Sequence, residues 1–329
     1  MAVNNGPRVM VIGSINIDLV ADVERLPREG ETVWAAGLQQ HLGGKGANQA
    51  AVAGLMGAET LMVGCVGDDV FGPRATQGLE GAGVDCGLVR TVSGTPTGTA
   101  LITVGARGEN TIVVIPGANG ALTAADVERA AGAMAACHAV MMQFEVPDEV
   151  VMAAAATIAR LRETAARPLL VLNPSPYRGT AVPPDGTVDM LIINEVEAEE
   201  MTGLKVQSPE DAAEAALRLL PRLRQGGHVV VTLGEQGAVA VSDGDETPLY
   251  IPAKKVRPVD TTGAGDTFAG ALVTQLCAGR SMAEALRFAT AAAAITVTRP
   301  GAQSSFPRRV EVEAALGDAP NPVPLMRKG

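Results

Sequence analysis

The feature that most constrains this chain is a rhythm. Short apolar, β-branched runs recur at Val9 to Ile12, Leu61 to Val66, Ala139 to Met142, Leu169 to Leu172, Met190 to Ile193 and Val229 to Leu233. Segments of helical spacing lie between them at Gly46 to Leu55, Phe71 to Ala82, Ala124 to Ala135, Asp148 to Ala165 and Pro209 to Leu220. Strand followed by helix, repeated, predicts a doubly wound, mostly parallel α/β sheet covered on both faces. The strand runs are continuously apolar rather than alternating, as burial on both faces requires.

Two stretches break the rhythm. One is Glu31 to Gln40. In the other, Thr99 to Val104 and Thr111 to Ile115 flank the turn-rich segment Gly105 to Asn110, which reads as a β-hairpin. Antiparallel strands inserted into such a chain predict a small sheet outside the main one, suited to covering a ligand crevice, contacting a second copy, or both. The expected organisation is one α/β domain over 8–317, lid strands within about 14–20, 31–42 and 95–116, and flexible tails at 1–7 and 318–329.

Composition excludes several classes of function. The formal charge is −10, and one Trp, two Tyr and five Phe offer few rings for stacking bases, so nucleic acid is not an expected partner. The longest apolar stretch, Ala130 to Phe144, is interrupted by Gly132, His138 and Gln143 and falls short of a membrane span. The expectation is a cytoplasmic protein without a membrane partner. Cys65, Cys86, Cys137 and Cys277 form no close pair, and His41, His138 and His228 are isolated, so neither a zinc site nor a disulfide framework is expected.

Chemistry concentrates in Asp260-Thr-Thr-Gly-Ala-Gly-Asp266, which opens a long helical stretch. Gly263 and Gly265 bring bare backbone to a helix N-terminus, where unpaired N–H groups and the helix dipole favour an anion. Asp266 in the same turn would compete with that anion if it were only a cap. The conflict disappears if Asp266 is a general base facing a hydroxyl while the N–H groups hold charge developing on a transferred phosphoryl group. Taken alone, so short a pattern is more often a tight turn with a helix-capping acid. Gly43-Gly-Lys-Gly-Ala-Asn48 is a second glycine-rich turn into a helix, with Lys45 and Asn48 as donors to hydroxyls. Asn16 and Asp18, two apart in extended chain, point the same way, and Glu145 follows another strand end. In open parallel sheets such positions converge on a ligand.

In combination and in this order, Gly13-Ser-Ile-Asn-Ile-Asp18, Gly43-Gly-Lys-Gly-Ala-Asn-Gln49, Gly108-Glu-Asn110, Gly117-Ala-Asn119, Gln143-Phe-Glu145, Asn173-Pro-Ser-Pro176, Asn194-Glu-Val-Glu-Ala198, Thr232-Leu-Gly-Glu-Gln-Gly237, Asp260 to Asp266 and Thr298-Arg-Pro-Gly-Ala-Gln303 carry a resemblance. From about Arg8 to about Leu316 the chain resembles the ribokinase/PfkB family of carbohydrate and nucleoside kinases. The resemblance implies a doubly wound α/β fold with a protruding β lid that also makes a homodimer contact. It implies transfer of phosphate from ATP to a primary alcohol, the 5-hydroxyl of D-ribose in the family's type member.

Carried over by position, the resemblance makes Asp266 the base and Gly263, Ala264 and Gly265 the anion hole. Asn16, Asp18, Gly44, Lys45, Asn48 and Glu145 become sugar contacts. Asn194, Thr232, Gly234, Gly237, Gly265 and Thr290 fall on the nucleotide side, with Asn194 and Glu197 near Mg²⁺ through water. Asp260, Thr262, Thr296, Arg299, Gly301 and Ser305 correspond to a K⁺ site. Thr290 stands where some relatives carry His or Asn, and Trp34 lies in the expected lid. Other readings are a sibling kinase acting on 2-deoxyribose, fructose or a nucleoside, a dinucleotide-dependent oxidoreductase, and a silent sugar-binding protein. The second lacks a G-x-G-x-x-G after the first strand, and the third would be expected to have lost Asp266 or its glycines.

Overall fold

The structure is a computed structural model and describes residues 6–164, 166–179 and 182–325. In chain order the first elements are β1 (Arg8–Ile12), β2 (Asn16–Val23), β3 (Ala35–Gly43), α1 (Lys45–Leu55), β4 (Glu59–Gly67), α2 (Phe71–Gly81) and β5 (Val84–Val92). Next come β6 (Gly98–Gly105), β7 (Asn110–Ile115), α3 (Ala124–Met134), β8 (Ala139–Gln143), α4 (Asp148–Arg162), β9 (Leu169–Asn173), β10 (Met190–Asn194), α5 (Glu195–Thr202) and α6 (Pro209–Leu219). The last are β11 (His228–Thr232), β12 (Ala238–Ser242), β13 (Leu249–Ile251), α7 (Ala264–Cys277), α8 (Met282–Thr296), α9 (Arg309–Ala315) and β14 (Val323–Pro324).

Among the described residues the strands form two sheets. The larger has ten strands in the order β14-β13-β12-β11-β10-β9-β8-β1-β4-β5, parallel from β5 to β11 and antiparallel from β11 to β14. The predicted doubly wound architecture is therefore the one observed. Side chains of β1 alternate between two cores: Val9 and Val11 belong to the core that includes residues of α1, α7 and α8, whereas Met10 and Ile12 belong to the one that includes residues of α3, α4 and α6. All four are fully buried, which explains the unbroken apolar run.

The smaller sheet has the order β3-β2-β6-β7. Its roots are buried at Asn16, Ile17, Gly43, Gly98 and Ala100, while its edge strands are exposed, β7 throughout and β3 over most of its length. The predicted hairpin is β6 and β7, and the Glu31 to Gln40 stretch becomes β3, displaced toward the C-terminal side.

The sequence reading missed β5, β12 and β13. The antiparallel pair β12 and β13 extends the sheet by hairpin connection, without the helix that marks the parallel strands. The predicted tail beyond 318 is also different in part: Val323–Pro324 pair with Leu249 and Tyr250, and Leu325 N donates to Pro248 O at 2.8 Å. The outermost parts of both predicted tails, residues 1–5 and 326–329, lie outside the described residues. Among the described residues no helix is long and apolar enough to cross a membrane.

Candidate active site

The chain leaves β1 toward β4 on one side and toward β8 on the other, so the sheet's order reverses between β1 and β8. A crevice at the carboxyl ends of the strands is expected at such a reversal. The sequence-predicted residues lie around it: Asn16 and Asp18 just past β1, Glu145 just past β8, and Asn194 and Thr232 at the ends of β10 and β11.

Asp266 sits in the first turn of α7. Gly263 caps that helix with φ +75, and a methyl there would come within 2.8 Å of the Phe306 ring, so glycine is required twice over. At Gly265 the space for a side chain is open, which leaves the backbone approachable. Of the proposed anion donors, the Ala264 N–H already points to Thr261 O at 3.2 Å. The N–H groups of Gly265 and Asp266 belong to the first turn and have no carbonyl four residues back within the helix. Asp266 is buried and accepts Asn48 Nδ2 at 2.9 Å on one oxygen and Gln49 Nε2 at 3.0 Å on the other. Burial pushes its carboxyl above the usual carboxylate range, with Glu145 adding to the rise, while Lys45, Asn48 and Gln49 oppose it.

The second cluster is held by the two glycine-rich turns. Glu145 Oε2 accepts Ser14 Oγ at 2.5 Å and Lys45 N at 3.1 Å, which ties the end of β8 to the Gly43-Gly44 turn. Gly44 has φ +88, and a side chain at Gly43 would collide with the Asp18 carboxylate. Asn119 donates to Asn16 Oδ1 at 2.7 Å and accepts Ile15 N at 2.8 Å, so a residue of the lid's return connection orients Asn16. The Asp18 carboxyl is pushed up to about 7, chiefly by burial and then by Glu145 and Asp266. Burial lowers the Lys45 ammonium, but Asp266, Glu145 and Glu197 outweigh it and leave the group above its ordinary value. Three carboxylates, those of Asp266, Glu145 and Glu197, thus act on one lysine.

Beyond β10, the Asn194 and Glu197 side chains form a capping box on α5: Asn194 Oδ1 accepts Glu197 N at 2.8 Å, and Glu197 Oε2 accepts Asn194 N at 3.0 Å. The buried Glu197 carboxyl is raised mainly by desolvation, against hydrogen bonds from Ser175 and Asn194 and the charge of Lys45. With these oxygens already engaged, the pair fits a hydrated Mg²⁺ reached through waters and not a directly bound one; among the described residues no group of three or more His, Cys, Asp or Glu could hold a metal. Thr232 donates to Ile193 O at 3.3 Å, and Gly234 and Gly237 both have positive φ around the following turn. Thr290 is buried in α8.

Asp260 accepts Thr262 N at 2.9 Å and Gly301 N at 2.8 Å, so it staples the segment before α7 to the one after α8. Burial raises its carboxyl, but these bonds prevail and hold it below the ordinary value. Thr296 and Ser305 are buried in the same segment, with the Ser305 hydroxyl donating to Ala302 O at 2.6 Å, and the Arg299 side chain turns away to Glu311 at 2.6 Å.

Sequence reasoning left Ser14, Gln49, Asn119, Gln143 and Asn173 without roles. Each lies within a quoted motif, which was the signal available, but each acts through another side chain and only the fold reveals which.

Together, the doubly wound sheet, the protruding lid and a buried carboxylate on a glycine-led helix define an alcohol-phosphorylating kinase of this architecture. The model of the pfkB family carbohydrate kinases matches residues 7–309, and the chain belongs to that family. It is 38% identical over 301 residues to a ribokinase of Haemophilus influenzae, covering 92% of this chain and 95% of that protein. It is 35% identical over 300 residues to a deoxyribokinase of Salmonella typhi, covering 91% and 95%. The structure of Arabidopsis thaliana ribokinase complexed with ribose and ATP superposes with TM-score 0.84 at 32% identity, covering 94% of this chain and 99% of that one.

Proposed function

We propose that this chain is an ATP-dependent kinase that phosphorylates the 5-hydroxyl of D-ribose, giving D-ribose 5-phosphate and ADP. The observation that carries the reading is the buried Asp266 carboxylate at the start of α7, beside Lys45 and within reach of Asn48. The 5-oxygen attacks the γ-phosphorus, the bond to the β–γ bridging oxygen breaks, and the hydroxyl proton passes to Asp266. Charge on the phosphoryl oxygens is met by the N–H groups of Gly265 and Asp266, with Ala264 and Gly263 shaping the turn. Asn16, Asp18, Gly44, Lys45, Asn48 and Glu145 hold the sugar. Asn194, Thr232, Gly234, Gly237 and Thr290 take the nucleotide side.

Mg²⁺, bound with the phosphates and reached by Asn194 and Glu197 through water, would neutralise charge there. K⁺ would be held by carbonyls around Asp260, Thr262, Thr296, Arg299, Gly301 and Ser305, and would act by ordering the loop that leads into α7. The same reading takes 8–317 as one kinase domain, the four-stranded sheet as lid and homodimer contact, and the cytoplasm as the place of action. The second reading is 2-deoxyribose as substrate, favoured by the deoxyribokinase relative. ADP release measured with Mg²⁺ and ATP across D-ribose, 2-deoxyribose, fructose and adenosine, with and without K⁺, tests both. Turnover fastest on ribose and raised by K⁺ is expected; turnover confined to another member of the panel would reassign the substrate.

A further inference from the structure

Three motif side chains that the proposed reaction does not use meet in one buried chain. Gln49 Nε2 donates to Asp266 Oδ1 at 3.0 Å and to Asn173 Oδ1 at 2.9 Å, and Gln49 Oε1 accepts Gln143 Nε2 at 2.7 Å. Asn173 Nδ2 in turn donates to Ile192 O at 2.8 Å. Gln49 and Gln143 are fully buried.

The direction of this chain is forced from its far end. A backbone carbonyl can only accept, so Ile192 O fixes Asn173 with its nitrogen outward and its oxygen toward Gln49. Gln49 must then offer its nitrogen on that side, the side that also faces Asp266. Its oxygen is left for Gln143, which must supply a nitrogen. Flipping any amide would set oxygen against oxygen. Gln143 Oε1 is left without a partner among the described residues, an orphan that a packed interior rarely tolerates. Gly13 has no room for a side chain, because one would strike that same amide. The cost is consistent with a chain kept for what it does at its other end.

We infer that Gln49 is a positioning residue for Asp266, its amide locked by Gln143 and Asn173 so that an N–H always faces one oxygen of the base. With Asn48 on the other oxygen, the carboxylate is held in one rotamer and in its ionised, proton-accepting form. Gln49 is too deep to reach the sugar, so it acts through Asp266 alone. The inference rests on Asp266 being the base.

The test is the pH dependence of kcat at saturating sugar for the whole chain, wild type against Gln49→Met and Gln143→Leu, with Asp266→Asn as reference. Charged groups that face Asp266 are Lys45 on α1, Glu145 after β8 and Asp18 on β2, and all are retained in the two glutamine variants. A hydrogen bond to a charged group is worth enough to move the acid limb of Gln49→Met upward by about one pH unit or more. Gln143→Leu moves it the same way by less, because Gln49 remains but is free to flip. KM for the sugar stays near wild type in both. An acid limb that does not move in Gln49→Met, with kcat reduced evenly at all pH values, makes Gln49 a packing residue and overturns the inference. Full turnover in Asp266→Asn instead overturns the base assignment, and the inference with it. If Gln49→Met does not fold, Gln49→Glu keeps the shape: two carboxylates at hydrogen-bond distance share a proton, and the limb must move further up. An unmoved limb there also overturns it.

Discussion

The strands β11 and β7 carry almost the same kind of sequence, His-Val-Val-Val-Thr from His228 and Thr-Ile-Val-Val-Ile from Thr111, yet they live in opposite surroundings. In β11 the three valines are fully buried between α6 and the helices of the other face. In β7, the edge of the small sheet, every residue is exposed, with Ile112 at 55%. Trp34, just before β3 at the opposite edge, is 93% exposed. A continuous apolar run therefore states only that a strand is to be covered, not by what. In the main sheet the chain's own helices do the covering; over β7 no described residue does. An exposed apolar face of this extent is the kind of surface that would serve the proposed contact with a second copy. The face bearing Asp18 runs across Ala100 to Val114 through strand register, so the surface outside continues the wall of the site.

Four measurements sharpen or break this contrast between a self-sufficient body and an uncovered lid. The largest effect is expected in the body: Asp266→Asn lowers kcat by roughly 10² to 10⁴, the usual contribution of a positioned base. Near wild-type turnover sinks the assignment. Next is stability. Ile12→Ala, at a fully buried position of β1, costs about 2–5 kcal/mol in urea unfolding. A loss below about 1 kcal/mol would mean that the body repacks as loosely as a surface.

In the lid, Ile112→Asp leaves circular dichroism unchanged and moves sedimentation from dimer to monomer. A monomeric wild type, or a dimer indifferent to this change, removes the lid as the contact. The smallest effect concerns Asp18, at the root of the lid. Its raised carboxyl, near 7, means that the folded state binds the proton more tightly than the unfolded chain, where the ordinary value is 3.8. Its contribution therefore favours folding at low pH and is lost as pH rises from about 4 to about 7. Asp18→Asn should melt higher than wild type above pH 7, with the gap closing toward pH 4. A gap independent of pH, or of opposite sign, would show that Asp18 is not strained by its neighbours.

The body of the fold was legible because burial on both faces writes itself into composition: β1, β4, β8, β9, β10 and β11 all read as apolar runs, and helical spacing recurs between most of them. The hairpin β12–β13 was not, since two strands joined by a turn leave no helical spacing between them. At the site, Asp266 and the Gly263 and Gly44 turns were legible because each needs a residue type at a fixed place, a carboxylate in a first helical turn or a backbone with positive φ. Not legible was that the Ala264 N–H, one of the expected anion donors, is turned to Thr261 O by the tight loop before it.

The sequence by itself determined the alternation of strand and helix, the glycine turns and the acid at the start of α7, because each depends on local geometry and solvent preference. Only the tertiary structure decided which residues meet. Gln49 and Asp266 are 217 positions apart and Asn16 and Asn119 are 103 apart, and no local spacing relates them. The physical reason is that hydrogen-bond partners in a buried site are assigned by the order of strands in the sheet, and that order belongs to the packing of the whole chain.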